Sequence, residues 1–271
     1  MNSINEIFAK SIITKSKLPN VDYCLNIYVG CQHDCKYCYA SFMKKFTKHL
    51  NDDWGTFVDY KINAIDLLKK EIKKIDKSKQ IILGSMTDSY QPIEKKLELT
   101  RKCFEILQEN HSNVSILTKS NLILRDIDIL SKMNNLEVGL SYGISDINMK
   151  NELEPYSSSI EKRLEALNTL KQNKIKTYVM IAPIIPFFTD LKLIFNDIKD
   201  KVDFVIGEIL NTRCLNNNFK NSLLKIVGPD KYKEIIDLCN NKLYINKVKC
   251  EYENLCAKYF IENHGFFSHC V

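Results

Sequence analysis

Apolar residues along the chain fall into two alternating patterns. Short apolar runs closed by Gly or polar turns read as buried strands: residues 21–30, 81–84, 114–118, 136–142, 175–182 and 202–209. Between them the apolar spacing lengthens to the helical period. Residues 63–75 place Ile65, Leu67, Leu68, Ile72 and Ile75 on one face and lysines on the other. Residues 94–108 do the same with Leu97, Leu99, Cys103, Phe104 and Leu107. A short helix over 124–133 carries Asp126 and Asp128 in its early turns, where they complement the helix dipole. Ser157, Ser158 and Ser159 offer an N-cap for 160–171, and Thr189 or Asp190 caps a helix through Ile198. Residues 41–49 are expected to be helical and 51–55 a loop.

Six strands alternating with helices predict an α/β fold with a parallel sheet and helices outside it. The lengths fit a partial (β/α)6 barrel of TIM type. The expected organisation is a polar leader over 1–20, the barrel core over 21–212 and a helical C-terminal extension over 213–271. Pro229 and Gly265 are expected to break that extension. In such a sheet, chemistry gathers at the carboxyl ends of the strands.

The 271 residues are 45% hydrophobic and 27% charged, as in an ordinary globular protein. A net charge of +6, mostly from lysine, admits nucleic acid or another polyanion as a partner without requiring one. No apolar run follows Lys10, Lys15 and Lys17, and residues 180–188 are interrupted by Pro183 and Pro186. These features predict no membrane association and a cytoplasmic protein with reduced thiols.

The chemistry is concentrated in Cys31-Gln32-His33-Asp34-Cys35-Lys36-Tyr37-Cys38-Tyr39-Ala40, directly after a strand that ends in Gly30. Three thiolates at this spacing can each take one iron of a [4Fe–4S] cluster, leaving the fourth iron open. Two other readings stand beside it. A Cys pair with His33 or His49 can hold zinc, although no second knuckle follows. Three reduced thiols can also be unrelated packing residues.

With Tyr37 before the third Cys and Tyr39 after it, the loop resembles the motif of the radical S-adenosylmethionine (radical SAM) superfamily. The resemblance extends to Thr87-Asp88-Ser89-Tyr90-Gln91-Pro92-Ile93-Glu94, to Thr118-Lys119-Ser120 and Leu124-Arg125-Asp126, and to Ser141, Glu154-Pro155, Arg163 and Ala182-Pro183-Ile184-Ile185-Pro186. That series is similar to the SplB-like group, to which spore photoproduct lyase belongs, over about residues 20–210. It implies that Cys31, Cys35 and Cys38 bind the [4Fe–4S] cluster and that SAM chelates the open iron. It also implies SAM contacts at Thr87, Lys119 and Ser141, an adenine pocket lined by Tyr37 and Tyr39, and a reductant such as a flavodoxin or ferredoxin. One departure is Ser85, which stands where spore photoproduct lyase carries a hydrogen-donating Cys.

The leading expectation is therefore a radical SAM enzyme acting on a substrate that the motifs do not name. The alternatives are DNA photoproduct repair and a non-catalytic zinc and nucleic-acid-binding module. Cys24 and Cys103 are expected to pack in the core. Cys214, Cys239, Cys250, Cys256 and Cys270, with His264 and His269, are read as scattered thiols rather than a second metal centre.

Overall fold

The computed structural model describes residues 3–269. Its strands are β1 (Ser3–Ile7), β2 (Ile13–Lys15), β3 (Tyr23–Leu25), β4 (Tyr28–Val29), β5 (Phe57–Lys61), β6 (Gln80–Leu83), β7 (Asn113–Thr118), β8 (Leu136–Ser141), β9 (Lys176–Ile184), β10 (Phe204–Ile209) and β11 (Glu262–Phe267). Its α-helices are α1 (Ala64–Glu71), α2 (Glu94–Leu97), α3 (Leu99–Glu109), α4 (Ile127–Leu130), α5 (Ile147–Leu153), α6 (Ile160–Gln172), α7 (Leu191–Ile198), α8 (Asn217–Cys239) and α9 (Lys242–Tyr259).

The large sheet runs β11-β10-β9-β8-β7-β6-β3-β2. Neighbours from β3 through β10 are parallel throughout, as the alternation of runs predicts. Both end strands are unpaired on one side, so this is an open barrel. Its strands are buried for most of their length, as expected of a sheet covered by helices.

The predicted first strand divides in two. Residues 23–25 pair with β6, whereas Tyr28–Val29 pairs antiparallel with β5 in a separate sheet ordered β1-β5-β4. Asn26 marks the division. Its side chain accepts from the Met86 N–H at 3.1 Å and donates to Ser85 Oγ at 3.1 Å, so it bridges to the end of β6. The leader contains β1, parallel to β5, and β2, antiparallel to β3. β1 is mostly exposed and lacks apolar alternation, which hides it from pattern reading. In β5 the buried Asp59 interrupts the apolar run.

The extension also adds to the sheet. The expected break at Pro229 is present: Gly228 leaves helical geometry at φ +75° inside α8. Gly265, however, lies within β11, which pairs parallel with β10. The expected helix over 94–108 is interrupted at Glu98, which is left-handed at φ +52°.

Gly139 in β8 shows how tightly the sheet face is filled. Tyr178 crosses it to donate its hydroxyl to the Ile116 carbonyl at 3.3 Å, and the ring stacks on Phe204 at 4.7 Å. A Cβ on Gly139 would stand 2.2 Å from that ring. Gly139→Ala is therefore expected to destabilise the fold by about 1–3 kcal/mol. Urea unfolding checks this, and an unchanged midpoint would show that Tyr178 yields at no cost.

Candidate metal centre and cofactor site

The Cys loop begins at the end of β4, where the chain turns through Gly30 at φ +84°. A Cβ there would lie 2.4 Å from the Phe57 carbonyl, so the position requires glycine. Cys31 and Cys35 are buried and Cys38 is half-buried. Ala40, Trp54 and Phe57 pack around Cys31, with Val29, Cys38, Met43 and Met86 against them. Burial pushes the Cys31 thiol up to about 12, the Cys35 thiol well above its ordinary value, and Cys38 upward as well. Opposing that, the His33 and Asp88 backbone N–H groups are directed at Cys31, and those of Ala40 and Ser41 at Cys38. The buried Trp54 indole N–H faces Cys38 too and has no other partner among the described residues.

This environment fits an iron–sulphur cluster better than a single ion. Among the described residues, no three His, Cys, Asp or Glu side chains gather as ligands of one ion. A cubic cluster takes each thiolate at a different iron, so its ligands stand further apart. The two candidate histidines are engaged elsewhere. His33 lies 3.2 Å from Asp88 Oδ2 and 3.0 Å from the Tyr156 carbonyl. His49 is held between Asp52 and Asp59 and stacks on Phe57 at 4.0 Å.

The residues after β6 fasten the loop. Gln91 accepts from the Gln32 N–H at 2.9 Å, and Gln32 accepts in return from the Ile93 N–H at 2.7 Å. The Thr87 hydroxyl donates to the Gly30 carbonyl at 2.6 Å, so it points into the loop. Asp88 receives the Thr118 hydroxyl at 2.7 Å and the Lys119 N–H at 2.8 Å. Burial alone would raise the Asp88 carboxyl. His33, Lys119 and Thr118 outweigh it and hold the group at about 2.

A second network gathers the other predicted residues. Lys119 Nζ donates to Ser141 Oγ at 3.0 Å and sits 5.6 Å from the Tyr37 ring centre. Burial opposes its charge, but Cys35 and Glu154 prevail and raise its pKa. Tyr37 donates to Glu154, which also pairs with Arg163. Arg163 donates in turn to the Ser141 carbonyl at 2.7 Å. Tyr39 stands apart, 47% exposed, with its hydroxyl donated to the Ser85 carbonyl. Thus Tyr37, Lys119 and Ser141 form one connected group, Thr87 lies beneath the Cys loop, and Tyr39 rims it.

Asp88, Gln91, Glu154 and Trp54 were not singled out for a role from sequence. Asp88, Gln91 and Glu154 all lie inside the quoted motif series, so their signal was present. Glu154 and Trp54 acquire their surroundings only in the fold. Of the C-terminal thiols, Cys239 and Cys256 are buried in the main core and Cys250 is exposed, and among the described residues no metal-holding group of three forms; Cys270 lies outside the described residues.

Comparison with known proteins gives the same assignment. The family model "Radical SAM superfamily" matches residues 25–194. The chain belongs to the radical SAM superfamily. An uncharacterised protein of Methanocaldococcus jannaschii is 40% identical over 252 residues, covering 92% of this chain and 93% of its own. A spore photoproduct lyase of Clostridium acetobutylicum is 25% identical over 226 residues, or 79% of this chain and 62% of that protein. Among solved structures, spore photoproduct lyase complexed with dinucleoside spore photoproduct superposes with a TM-score of 0.72 at 14% identity, over 98% of this chain and 82% of that one. Streptococcus suis SuiB bound to S-adenosylmethionine gives 0.57 at 12% identity, over 99% and 51%. The SplB-like resemblance and the barrel architecture are both borne out. Family membership implies an enzyme that uses SAM and an iron–sulphur centre.

The Glu154–Arg163 pair yields a pH prediction. Burial raises Glu154, but Arg163, Lys119 and Tyr37 overcome it and hold the carboxyl at about 2, against 4.5 ordinarily. Because the folded value is the lower one, the stabilisation is present above pH 4.5 and lost as pH falls toward 2. That difference corresponds to about 3 kcal/mol. Glu154→Gln leaves Arg163 buried without its counter-ion and is expected to cost about 3–5 kcal/mol at neutral pH. Urea unfolding followed over this acid range should show a flatter pH dependence for the variant than for the parent.

Proposed function

We propose that Cys31, Cys35 and Cys38 hold a [4Fe–4S] cluster at which SAM is reductively cleaved, and that the resulting radical abstracts hydrogen from a substrate. The observation that carries this reading is the buried three-thiol loop, met by backbone N–H donors and with Lys119 placed beside Cys35. When bound, the reduced cluster supplies the electron that divides SAM into methionine and a 5′-deoxyadenosyl radical. The chain's own residues bind and orient SAM and exclude water.

Lys119 supplies a point charge for the SAM carboxylate, and Ser141 steers its ammonium. The Thr87 hydroxyl is engaged with Gly30, so this turn offers the SAM ammonium its backbone carbonyls. Tyr37 is fixed by Glu154 as a wall of the pocket, and the half-exposed Tyr39 lines the adenine side. A flavodoxin or ferredoxin delivers the electron. We place the enzyme in the reducing cytoplasm: no disulfide joins the described cysteines, and no described helix is long and apolar enough to cross a membrane.

A second reading, DNA photoproduct repair, is favoured by the likeness to spore photoproduct lyase. Against it, Ser85 carries a hydroxyl bonded to Asn26, and a serine O–H gives up a hydrogen atom far less readily than a thiol. Incubating UV-irradiated DNA with the reduced enzyme and SAM decides the matter; photoproduct that persists through SAM turnover removes this reading.

Anaerobic reconstitution is expected to give about four irons per chain. Cys35→Ala should lose the cluster and stop 5′-deoxyadenosine formation; retention of both would refute the assignment. Lys119→Ala should keep its iron and bind SAM about tenfold to a hundredfold more weakly, the loss of one charge-assisted hydrogen bond. Lys119→Met isolates the charge from the bulk of the stem. Parental SAM affinity in either variant would show that Lys119 does not bind the carboxylate.

A further inference from the structure

Trp54 is the one tryptophan in the chain. It lies in the loop before β5, 4% exposed, with its ring edge-on to Phe57 at 5.8 Å. It belongs to one apolar cluster with Cys31, Ala40 and Phe57, against which Val29, Cys38, Met43 and Met86 pack. Phenylalanine would serve such packing equally well. What tryptophan adds is an N–H, which can only donate. A buried N–H almost always has a partner, and this one has none among the described residues. The group it faces is the Cys38 sulphur, which packs against the same cluster. A thiol is a poor acceptor, whereas a negatively charged sulphur is a much stronger one. The indole therefore gains its partner when Cys38 becomes a ligand.

Accepting the cluster reading proposed above, we infer that the Trp54 indole N–H donates to the Cys38 sulphur of the bound cluster and makes that cluster easier to reduce. Reduction adds one electron from the external donor, and the added negative charge is shared with the ligand sulphurs. A fixed N–H dipole directed at one of them stabilises the reduced state more than the oxidised state, and hydrogen bonds to sulphur are among the factors that set such potentials. The Ala40 and Ser41 N–H groups act on the same sulphur, so Trp54 completes a set of donors that backbone geometry began. Cys35 is instead raised chiefly by burial, which the Lys119 charge opposes, so the three ligands are electrostatically unequal.

The test uses the reconstituted full-length chain, titrated with dithionite and redox mediators and followed by the electron paramagnetic resonance signal of the reduced cluster. Trp54→Phe keeps the contact with Phe57 and removes the donor. At the poise that half-reduces the parent, its reduced-to-oxidised ratio is expected to be about three- to tenfold lower, tenfold being about 59 mV for one electron. Because the chain has one tryptophan, biosynthetic replacement by benzothienylalanine changes a single site, exchanging N–H for sulphur at nearly constant shape. It should shift the midpoint in the same direction, and it carries the measurement if Trp54→Phe loads poorly. A parental midpoint in the loaded analogue overturns the inference. Independently, emission from the sole tryptophan should fall as the cluster assembles, and unchanged emission in a loaded protein would place the indole elsewhere. A parent that takes up neither iron nor sulphide refutes the cluster reading itself, a result distinct from either of these.

Discussion

An irregular loop carrying three buried thiols has little regular structure of its own, so neighbouring elements must hold its shape. Asp88 is the joint on which this depends. Its carboxylate accepts from the end of β7 through Thr118 and Lys119, and it faces His33 inside the Cys loop. One half-buried charge thus ties the thiol loop to the strand end that presents Lys119. Its low pKa reflects the arrangement: enough donors converge on it to outweigh the burial that would otherwise neutralise it. Thr87 and Gln91 reinforce the same joint from either side, through Gly30 and Gln32.

The remainder of the motif series serves the same end. Glu94 accepts from the Tyr28 hydroxyl, from Arg125 at 2.8 Å and from the Thr100 N–H at 3.0 Å. Tyr90 donates to Asp126 at 3.0 Å, and Arg125 also holds Asp126. Segments far apart in sequence, 87–94, 118–120 and 124–126, therefore meet as one buried polar network beneath the site. Such a network is costly unless nearly every member is satisfied, and when satisfied it specifies a single arrangement. Much of the series that identifies the SplB-like group thus serves in this chain to hold the segments together.

The legible part of the fold followed from burial on both faces. β6, β7, β8, β9 and β10 are short apolar runs because helices cover them, and the intervening helices carry the matching apolar stripe. β1, β5 and β11 were missed because backbone pairing rather than apolar alternation holds them: β1 and β11 are largely exposed, and Asp59 interrupts β5. In the site, the three Cys, Lys119 and Ser141 were readable from motif spacing and strand ends. The roles of Glu154 and Trp54 were not, since each matters through partners distant in sequence, Arg163 and Tyr37 for one and Cys38 for the other.

The unequal burial of the thiols bears on how the protein survives before it is loaded. A thiolate, not a thiol, is the form attacked by oxidants and captured by stray soft metals. Burial shifts Cys31 to about 12 and raises Cys35 and Cys38 as well, so it favours the thiol form in this loop. Binding of a metal centre at these sulphurs would release their protons, so it would draw on the positive charge of that centre. The burial that makes the loop costly to ionise thus also favours the form of the sulphurs that oxidants attack least.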